Sequence, residues 1–279
     1  YLRKQIASYL LQSRGIVASS DAIVIGSSTQ QLLMHVSLLL RKQFSSIILE
    51  NPGYGGARSV FTLNGYDIEA IDIGQKGIEM EQLEQMQSKL IYVTPSHQYP
   101  TGTTIPIHER QQLLQWAMSH GGYIFEDDYD SEFRYKQQPI PALASLRQDC
   151  VIYVSTFSKA FLPSLRLSYM VLPHKLLKVY QLMFSSFEQN ASSLHQRTMA
   201  QFIENGYWES HIRKMRAVYR QKMQVLVQEL EREFGDVIKI MGRYSGLYIL
   251  VQIQTIYSES ELIENAKEYG VKVYPTSIY

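Results

Sequence analysis

The sequence predicts an α/β fold with a mostly parallel central sheet that is covered by helices on both faces. Short apolar runs rich in Ile, Val and Tyr alternate with longer segments of helical period, and the runs are apolar almost without interruption. Strand–helix alternation is typical of the α/β class, and continuous apolar strands are typical of a sheet buried on both sides. With 279 residues, 45% of them hydrophobic, the chain can also bury a sizeable core.

Each element follows from its local pattern. Apolar runs of strand length predict seven strands before residue 174, namely AIVIG, SIILE, DIEAIDI, LIYVTP, YIFED, VIYVST and LSYMVLP. Helical periodicity predicts helices over 29–41, from about 55 and from about 107. Beyond these come long helical segments over 175–204 and 208–234, then VIKI, GLYILVQI, a helical segment over 260–269 and VKVY.

The change of pattern predicts two domains. We expect a large α/β domain over residues 1–207 and a smaller, incomplete α+β domain over residues 208–279. The sequence begins within a helical pattern and stops without a polar tail, so we expect it to be a fragment of a longer polypeptide.

Charge and composition argue against several functional classes. Lys plus Arg number 27 and Asp plus Glu 26, so we expect any contact with DNA to come from residues outside this sequence. The apolar stretches are too short to span a membrane, so no membrane partner is expected. The single cysteine, Cys150, cannot form an internal disulfide, which is compatible with a cytoplasmic location.

Polar motifs follow the predicted strands, where ligands of open α/β sheets bind. After AIVI comes GSSTQQ, in which Ser28 and Thr29 open a predicted helix. Amides and hydroxyls at a helix N-terminus suit a phosphate, although Ser at this place also serves as an ordinary N-cap. After LIYVTP comes SHQYPTG, whose lone His97 is better explained as a structural residue than as a metal ligand or base, so no metal site is predicted.

The loop after YIFE is strongly acidic, with the sequence DDYDSEFRY. Asp127 and Tyr129 are two residues apart and should face the same side of an extended chain, where the carboxylate could pair with a cationic ligand atom. The other carboxylates of this segment, Asp128, Asp130 and Glu132, are interpreted as a solvated acidic loop.

The strand VIYVST leads into Lys159, with Arg166 seven positions later. Most loop lysines lie on the surface, yet a lysine at a strand end inside a cleft is a candidate amine nucleophile. The strand ends together therefore offer a phosphate cradle, a polar loop, an Asp with a Tyr, and a Lys with an Arg.

One cofactor explains this set economically, namely pyridoxal phosphate. It requires a lysine for a Schiff base, a carboxylate for its pyridine nitrogen, a donor to its phenolic oxygen, an anion site and an aromatic face. These roles fall in turn to Lys159, Asp127, Tyr129, the Ser28–Thr29 turn with Arg166, and Tyr54 of ENPGYGG. A dinucleotide-binding dehydrogenase is disfavoured because no G-x-G-x-x-G follows any strand.

The motifs also support a resemblance. GSSTQQ, ENPGY, VTPSHQYPTG, IFEDDYDSEFRY, IPAL and VIYVSTFSKAFLPSLRLSYMVLP occur in the order and spacing of fold-type I aminotransferases. More narrowly, the chain from Leu2 onward resembles the effector domain of MocR/GabR-type transcriptional regulators, which join a winged helix-turn-helix DNA-binding domain to an aminotransferase-like domain. The resemblance implies the roles given above, adds Thr156 to the phosphate site, and implies a homodimer with the cofactor near the subunit interface. It also implies that the DNA-binding domain is missing from this sequence.

Departures from the family pattern narrow the function. Tyr99 stands where most aminotransferases have an asparagine, which favours the regulators over a working transaminase. Members that respond to GABA carry one arginine shortly after the PGY motif, where this chain has Gly55 and Gly56, and another at the position aligned with Ile278, so GABA is a poor candidate effector. Arg58 could substitute only if its loop aimed it inward. A possible effector pocket therefore comprises His97, Tyr99 and Arg58.

The sequence thus predicts an effector-sensing domain in preference to an enzyme. In this hypothesis an effector with an amino group displaces Lys159 by forming an external aldimine, and the change is passed to the missing DNA-binding domain. The alternative is a pyridoxal phosphate-dependent aminotransferase acting on an amino acid, in which Lys159 also carries the proton.

Overall fold

A computed structural model describes residues 1–74, 77–135, 140–188 and 190–278 of the chain. Its strands are β1 (Ile23–Gly26), β2 (Ser46–Asn51), β3 (Asp67–Gly74), β4 (Gly77–Ile78), β5 (Leu90–Val93), β6 (Tyr123–Asp127), β7 (Val151–Thr156), β8 (Ser168–Val171), β9 (Ile238–Met241) and β10 (Leu250–Ile253). Its α-helices are α1 (Leu2–Arg14), α2 (Thr29–Leu40), α3 (Gly55–Leu63), α4 (Met80–Glu84), α5 (Ile107–His120), α6 (Leu143–Leu146), α7 (Phe157–Ala160), α8 (His174–Met183), α9 (Ser193–Glu204), α10 (Tyr207–Phe234) and α11 (Glu259–Glu268).

In the described part of the chain, the first eight strands form one sheet in the order β1-β8-β7-β6-β5-β2-β3-β4. The central strands β7, β6, β5, β2 and β3 pair in parallel. Strand β8 is antiparallel to both β7 and β1, so β1 runs in the same direction as β7. The carboxyl ends of β1, β7, β6, β5 and β2 therefore meet at one edge of the sheet, which we call the site edge. The predicted α/β class with a mostly parallel sheet is confirmed.

Alternating strand side chains build a core on each face of the sheet. On one face Tyr92, Phe125 and Val154 pack in a cluster with residues of α2, α3 and α8. On the opposite face Ile124 and Tyr153 pack with residues of α1, α5, α9 and α10. The sequence also sets helix ends, since α1 stops at a glycine, Gly15, in the left-handed conformation that favours this residue.

Two predicted elements differ in the structure. The helical segment 175–204 is two helices, α8 and α9, because the Ser192 side chain accepts a hydrogen bond from the His195 N–H and starts a new helix. The run VKVY at 271–274 is not a strand, since it pairs with no described strand.

The C-terminal elements are less buried than the main sheet. Helix α10 begins with a buried Trp208 and continues to the separate two-stranded sheet β9–β10, and α11 has no buried residue. The boundary predicted between residues 207 and 208 lies at the first turn of α10 and stays a prediction. No helix among the described residues is both long and apolar enough to cross a membrane.

Candidate functional site

The residues predicted to form a site come from neighbouring strands at the site edge. In the sheet register Gly26 lies opposite Ser168, and Ser168 lies opposite Thr156. One strand further, Asp127 pairs with Val154. The turns after β1, β6 and β7 are therefore side by side, because parallel strands deliver their carboxyl ends to the same edge.

Two helix N-termini begin at this edge. Ser28 caps α2 by accepting a hydrogen bond from the Gln31 N–H at 3.1 Å, so the N-cap interpretation of Ser28 is correct as local structure. Thr29 is the first residue of α2, and the first amides of a helix have no acceptor within it. Thr156 caps α7 in the same way, through the Ser158 N–H at 3.1 Å. Hydroxyl and amide donors thus converge on one small region that suits an anion.

Close packing fixes the first of these turns. A side chain at Gly26 would place its Cβ 2.7 Å from the Leu32 side chain, so any larger residue would require the buried Leu32 to shift. The Ser27 N–H and hydroxyl both donate to the Gln31 Oε1, which ties the turn to the first turn of the helix. The short connection keeps the N-terminus of α2 at the site edge.

Lys159 and Arg166 follow β7 on the exposed side of the edge. Lys159 lies on α7 and its side chain is exposed. Arg166 is exposed as well and has a φ of 49°, the one positive φ outside glycine among the described residues. This conformation is costly for a residue with a Cβ, and such costs concentrate at functional sites.

Asp127 is a buried carboxylate with an unused oxygen. Its side chain is 4% exposed and accepts a hydrogen bond from the Tyr92 hydroxyl at Oδ2, whereas Oδ1 has no hydrogen-bond partner among the described residues. Burial raises the pKa of Asp127 to about 7, against the opposing effects of the Tyr92 hydrogen bond and the Lys159 charge. A cationic N–H group placed at Oδ1 would satisfy this oxygen and lower the pKa again.

Tyrosine rings line the region beside Asp127. The Tyr99 ring lies edge to face with Tyr54 at 6.1 Å, with Tyr129 at 6.2 Å and with Tyr248 at 5.7 Å between centroids. All four rings are half-buried. Burial raises the pKa of Tyr54, as does the nearby Asp127 charge, while Arg166 lowers it. The structure thus brings Tyr54 and Tyr129 to the same region as Asp127, with Tyr99 between them.

The interpretation of the acidic segment as a solvated loop is wrong. Asp128, Asp130 and Glu132 are all buried. Asp128 Oδ2 lies 2.7 Å from Arg14 Nε, an ion contact too bent for a hydrogen bond, and it accepts hydrogen bonds from the Tyr153 and Ser131 hydroxyls. Glu132 accepts a hydrogen bond from the Tyr9 hydroxyl at 2.9 Å. Long-range partners on α1 and β7 bury these carboxylates, and local composition gives no sign of them.

His97 and Arg58, the other predicted pocket residues, have different environments. His97 is buried, with Nδ1 2.8 Å from Asp130 Oδ2 and Nε2 without a partner among the described residues. Arg58 is exposed on α3 rather than in a loop. Ile278, at the second position where some family members carry an arginine, is exposed too.

Three residues at the site were missed at the sequence level. Tyr92 bonds to Asp127, Tyr248 bonds to the Tyr129 hydroxyl, and the buried Glu50 accepts hydrogen bonds from the Thr94 N–H and hydroxyl. Burial raises the pKa of Glu50 to about 7. A polar hydroxyl or carboxylate inside the apolar runs LIYV and SIILE was a usable signal for Tyr92 and Glu50. Tyr248 is 119 residues from Tyr129 and offered no local signal.

The described residues contain no group of three or more His, Cys, Asp or Glu side chains that could hold a metal ion. The polar groups that the described residues bring to the site edge include the Lys159 amine, the Arg166 guanidinium, the Asp127 carboxylate with its unpartnered Oδ1, several hydroxyls and aromatic rings. This set can hold an anion at one end and a protonated ring nitrogen at the other, with an amine able to form a covalent bond to a carbonyl.

Comparisons with known proteins agree with this geometry. The model of the family "Aminotransferase class I and II" matches residues 1–279. The chain is 44% identical over 278 residues to the HTH-type transcriptional regulator YdeL of Bacillus subtilis, covering 99% of this chain and 60% of that protein. It is 31% identical over 277 residues to the probable rhizopine catabolism regulatory protein MocR of Rhizobium meliloti, covering 99% of this chain and 56% of that protein.

Solved structures show the same fold. The structure of LysN, an α-aminoadipate aminotransferase of Thermus thermophilus complexed with N-(5'-phosphopyridoxyl)-L-leucine, matches with a TM-score of 0.85 and 27% identity, covering 98% of this chain and 71% of that chain. The present chain spans only about three fifths of the length of the two regulators.

Proposed function

The chain belongs to the class I and II aminotransferase family, which implies pyridoxal phosphate as the cofactor, and we propose that it is the effector-sensing part of a MocR/GabR-type transcriptional regulator. The observation that carries the proposal is Asp127. It is a buried carboxylate that, within the described ranges, has no cation in contact and an unpartnered Oδ1, and it lies at the same sheet edge as Lys159 and two helix N-termini.

The residues present fit the cofactor, and each has a proposed role. Lys159 supplies the amine that bonds to the cofactor, and Asp127 Oδ1 accepts from the protonated pyridine nitrogen. Tyr129 contacts the phenolic oxygen and Tyr54 covers the ring. The phosphate is held by Ser28, Thr29, Thr156 and Arg166. When bound, pyridoxal phosphate supplies an aldehyde for Schiff-base chemistry and a ring that withdraws electrons.

A regulator is favoured over an enzyme by the comparisons and by Tyr99. Identity is 44% with a regulator of Bacillus subtilis and 28% with the 2-aminoadipate transaminase of Thermus thermophilus. An aminotransferase remains the second candidate because of this transaminase similarity. Under the regulator proposal, DNA is bound by residues outside this sequence, the protein is a cytoplasmic homodimer, and residues 1–207 and 208–279 act as larger and smaller domains.

The effector is proposed to be a small molecule with an amino group. Its amine competes with Lys159, which is exposed and therefore accessible. GABA is disfavoured because glycines occupy positions 55 and 56, while Ile278 and Arg58 are both exposed. Without a guanidinium fork inside the tyrosine-lined region, a distal carboxylate lacks a bidentate partner there. His97 and Tyr99 stay proposed members of the effector pocket.

Visible absorption tests the cofactor assignment. We expect the full-length protein reconstituted with pyridoxal phosphate to be yellow, Lys159→Ala to lose the absorption of the lysine-bound cofactor, and Lys175→Ala, which removes an exposed lysine of α8, to keep it. The assignment would be contradicted if Lys159→Ala kept the same absorption after dialysis and gel filtration.

Turnover tests sensing against catalysis. The full-length protein is incubated with a panel of amino acids and an acceptor keto acid, and product is measured against protein concentration. We expect spectral changes on amine binding with at most about one product per cofactor, and rapid multiple turnover would establish the aminotransferase alternative instead.

A further inference from the structure

A buried histidine–carboxylate pair lies directly behind the predicted cofactor contact Tyr129. His97 follows β5 and Asp130 follows β6, and both are 2% exposed. His97 Nδ1 is 2.8 Å from Asp130 Oδ2. Because an ionised carboxylate can only accept hydrogen bonds, this contact assigns the proton to Nδ1 in the neutral ring.

The other ring nitrogen makes no such contact. Nε2 is buried and has no hydrogen-bond partner within the described ranges. Any function of the imidazole as a hydrogen-bonding group therefore depends on Nδ1. This distinction matters because asparagine and glutamine can each imitate only one of the two nitrogens.

Packing fixes the ring in place. A Cβ at Gly246, which has a φ of +74°, would lie 1.9 Å from His97 Cε1, and the Tyr248 ring lies 4.9 Å from the imidazole. A Cβ at Gly102 would lie 2.4 Å from the Gly242 Cα. The segment 242–248 is thus held against the loop 97–102 with no space for another side chain, so the imidazole cannot turn freely.

The Tyr129 hydroxyl is held by three groups of this cluster. It donates to the His97 carbonyl oxygen at 2.8 Å, lies 3.0 Å from the Tyr248 hydroxyl, and lies 3.3 Å from His97 Nδ1. A phenol has one proton and can accept from other donors. These contacts hold the Tyr129 oxygen in place, while its own proton can turn from the carbonyl to another acceptor.

We propose that His97 and Asp130 form a positioning pair that keeps the Tyr129 hydroxyl available to the phenolic oxygen of the cofactor. The inference rests on the proposed function, in which Tyr129 makes that contact. The Nδ1–H satisfies the buried Asp130 carboxylate. Without this donor, the buried Asp130 Oδ2 would lose the ring N–H that contacts it, and we expect the carboxylate then to compete for the Tyr129 proton.

The test is the pH titration of visible absorption of the full-length protein loaded with pyridoxal phosphate. A hydrogen-bond donor to the phenolic oxygen stabilises the deprotonated form of the bound cofactor, in which that oxygen carries more negative charge. Losing the donor therefore raises the pH midpoint of the titration. We expect Tyr129→Phe to raise it by about one to two pH units, corresponding to one hydrogen bond to a charged group. His97→Gln should raise it in the same direction by at least half as much.

Two variants separate positioning from packing. His97→Asn places an amide N–H near the Nδ1 position. Because the donor is retained, its midpoint should lie within about 0.3 pH units of the wild-type value. His97→Phe keeps an aromatic ring, slightly larger than imidazole, but has no donor, and should behave like His97→Gln. It also replaces His97→Gln as the test variant should that protein fail to fold.

The double variant His97→Gln/Tyr129→Phe decides whether the pair acts through Tyr129. We expect its midpoint to equal that of Tyr129→Phe alone. The inference would be overturned if the two shifts were fully additive. It would also be overturned if the midpoint moved in Tyr129→Phe but stayed unchanged in both His97→Gln and His97→Phe. Either result would leave the proposed function intact. A wild-type protein without visible absorption would instead overturn the proposed function.

Discussion

At the end of β6, carboxylate side chains lie on both faces of the strand, and those on one face have different partners from the one on the other. Glu126 and Asp128 point to the face covered by α1 and α5, whereas Asp127 points to the face covered by α2 and α3. We call these the support face and the site face. All three carboxylates are buried, so the difference lies in their partners.

On the support face the protein supplies the partners. Burial by itself raises the pKa of Asp128, but the Arg14 guanidinium and the Tyr153 hydrogen bond outweigh it and lower the pKa below its ordinary value. Glu126 accepts hydrogen bonds from the Leu143 and Ala144 amides at the start of α6. These carboxylates therefore join α1, α6 and the sheet into one unit.

On the site face no cation from the described part of the chain touches the carboxylate. Asp127 has one phenol as its partner and a pKa raised to about 7 by burial. Asp128 Oδ1 is unpartnered too among the described residues, yet Arg14 neutralises its charge. The comparison teaches that Asp127 and Asp128, two adjacent carboxylates that are both buried, differ chiefly in the counter-ion that Arg14 supplies to Asp128.

The largest expected effect is on the support face. Arg14→Met keeps most of the side-chain volume but leaves Asp128 buried and without a counter-ion, so we expect the free energy of unfolding to fall by about 3–5 kcal/mol. Urea denaturation measures it. The control is Arg232→Ala, which removes ion pairs of a side chain that is 65% exposed and should cost less than about 1 kcal/mol. Equal losses in the two variants would contradict the distinction.

A smaller loss is expected from Glu126→Gln. One carboxamide oxygen can accept from only one of the two amides of α6, so a buried N–H is left unsatisfied at a cost of about 1–3 kcal/mol. The matched change Glu233→Gln, at an exposed carboxylate of α10, should leave the urea midpoint nearly unchanged. A loss as small in Glu126→Gln as in the control would show that α6 does not depend on this carboxylate.

The smallest effect concerns the pH dependence of the apoprotein. The pKa of Asp127 is about 7 when folded and has its ordinary value of 3.8 when unfolded, so between these values the folded state binds the extra proton and stability falls as pH rises. Asp127→Asn removes this dependence. From pH 5.5 to 6.5 the free energy of unfolding of the wild type should fall by up to about 1.4 kcal/mol more than that of the variant.

Urea midpoints at the two pH values measure this difference. Glu132, whose pKa burial also raises to about 7, contributes to both proteins and cancels in the comparison. The Asp127 charge also raises the pKa of Glu50, so both proteins carry Glu50→Gln in this measurement. If the free energy of unfolding changed equally with pH in wild type and Asp127→Asn, Asp127 would already have an internal counter-ion. The contrast between the two faces would then be lost.

Much of the fold was predictable because it depends on local patterns. Apolar runs marked seven of the first eight strands, all except the two-residue β4, and the residues after them marked the site edge, since parallel strands end together. The alternation of side chains along a strand correctly placed Asp127 apart from its neighbours. Prediction failed for the helical segment 175–204, where a new N-cap at Ser192 interrupts an apparently continuous period.

The sequence by itself therefore determined the class, the order of the main strands and a first set of side chains expected at the site edge. Only the tertiary structure decided which of the acidic side chains are paired inside the protein. Arg14 reaches Asp128 from the first helix, Tyr92 reaches Asp127 from the neighbouring strand, and Tyr248 reaches Tyr129 from 119 residues away. Charge pairing depends on distance in space, and packing of the helices on the sheet sets that distance, whereas local periodicity reports only which way each side chain points.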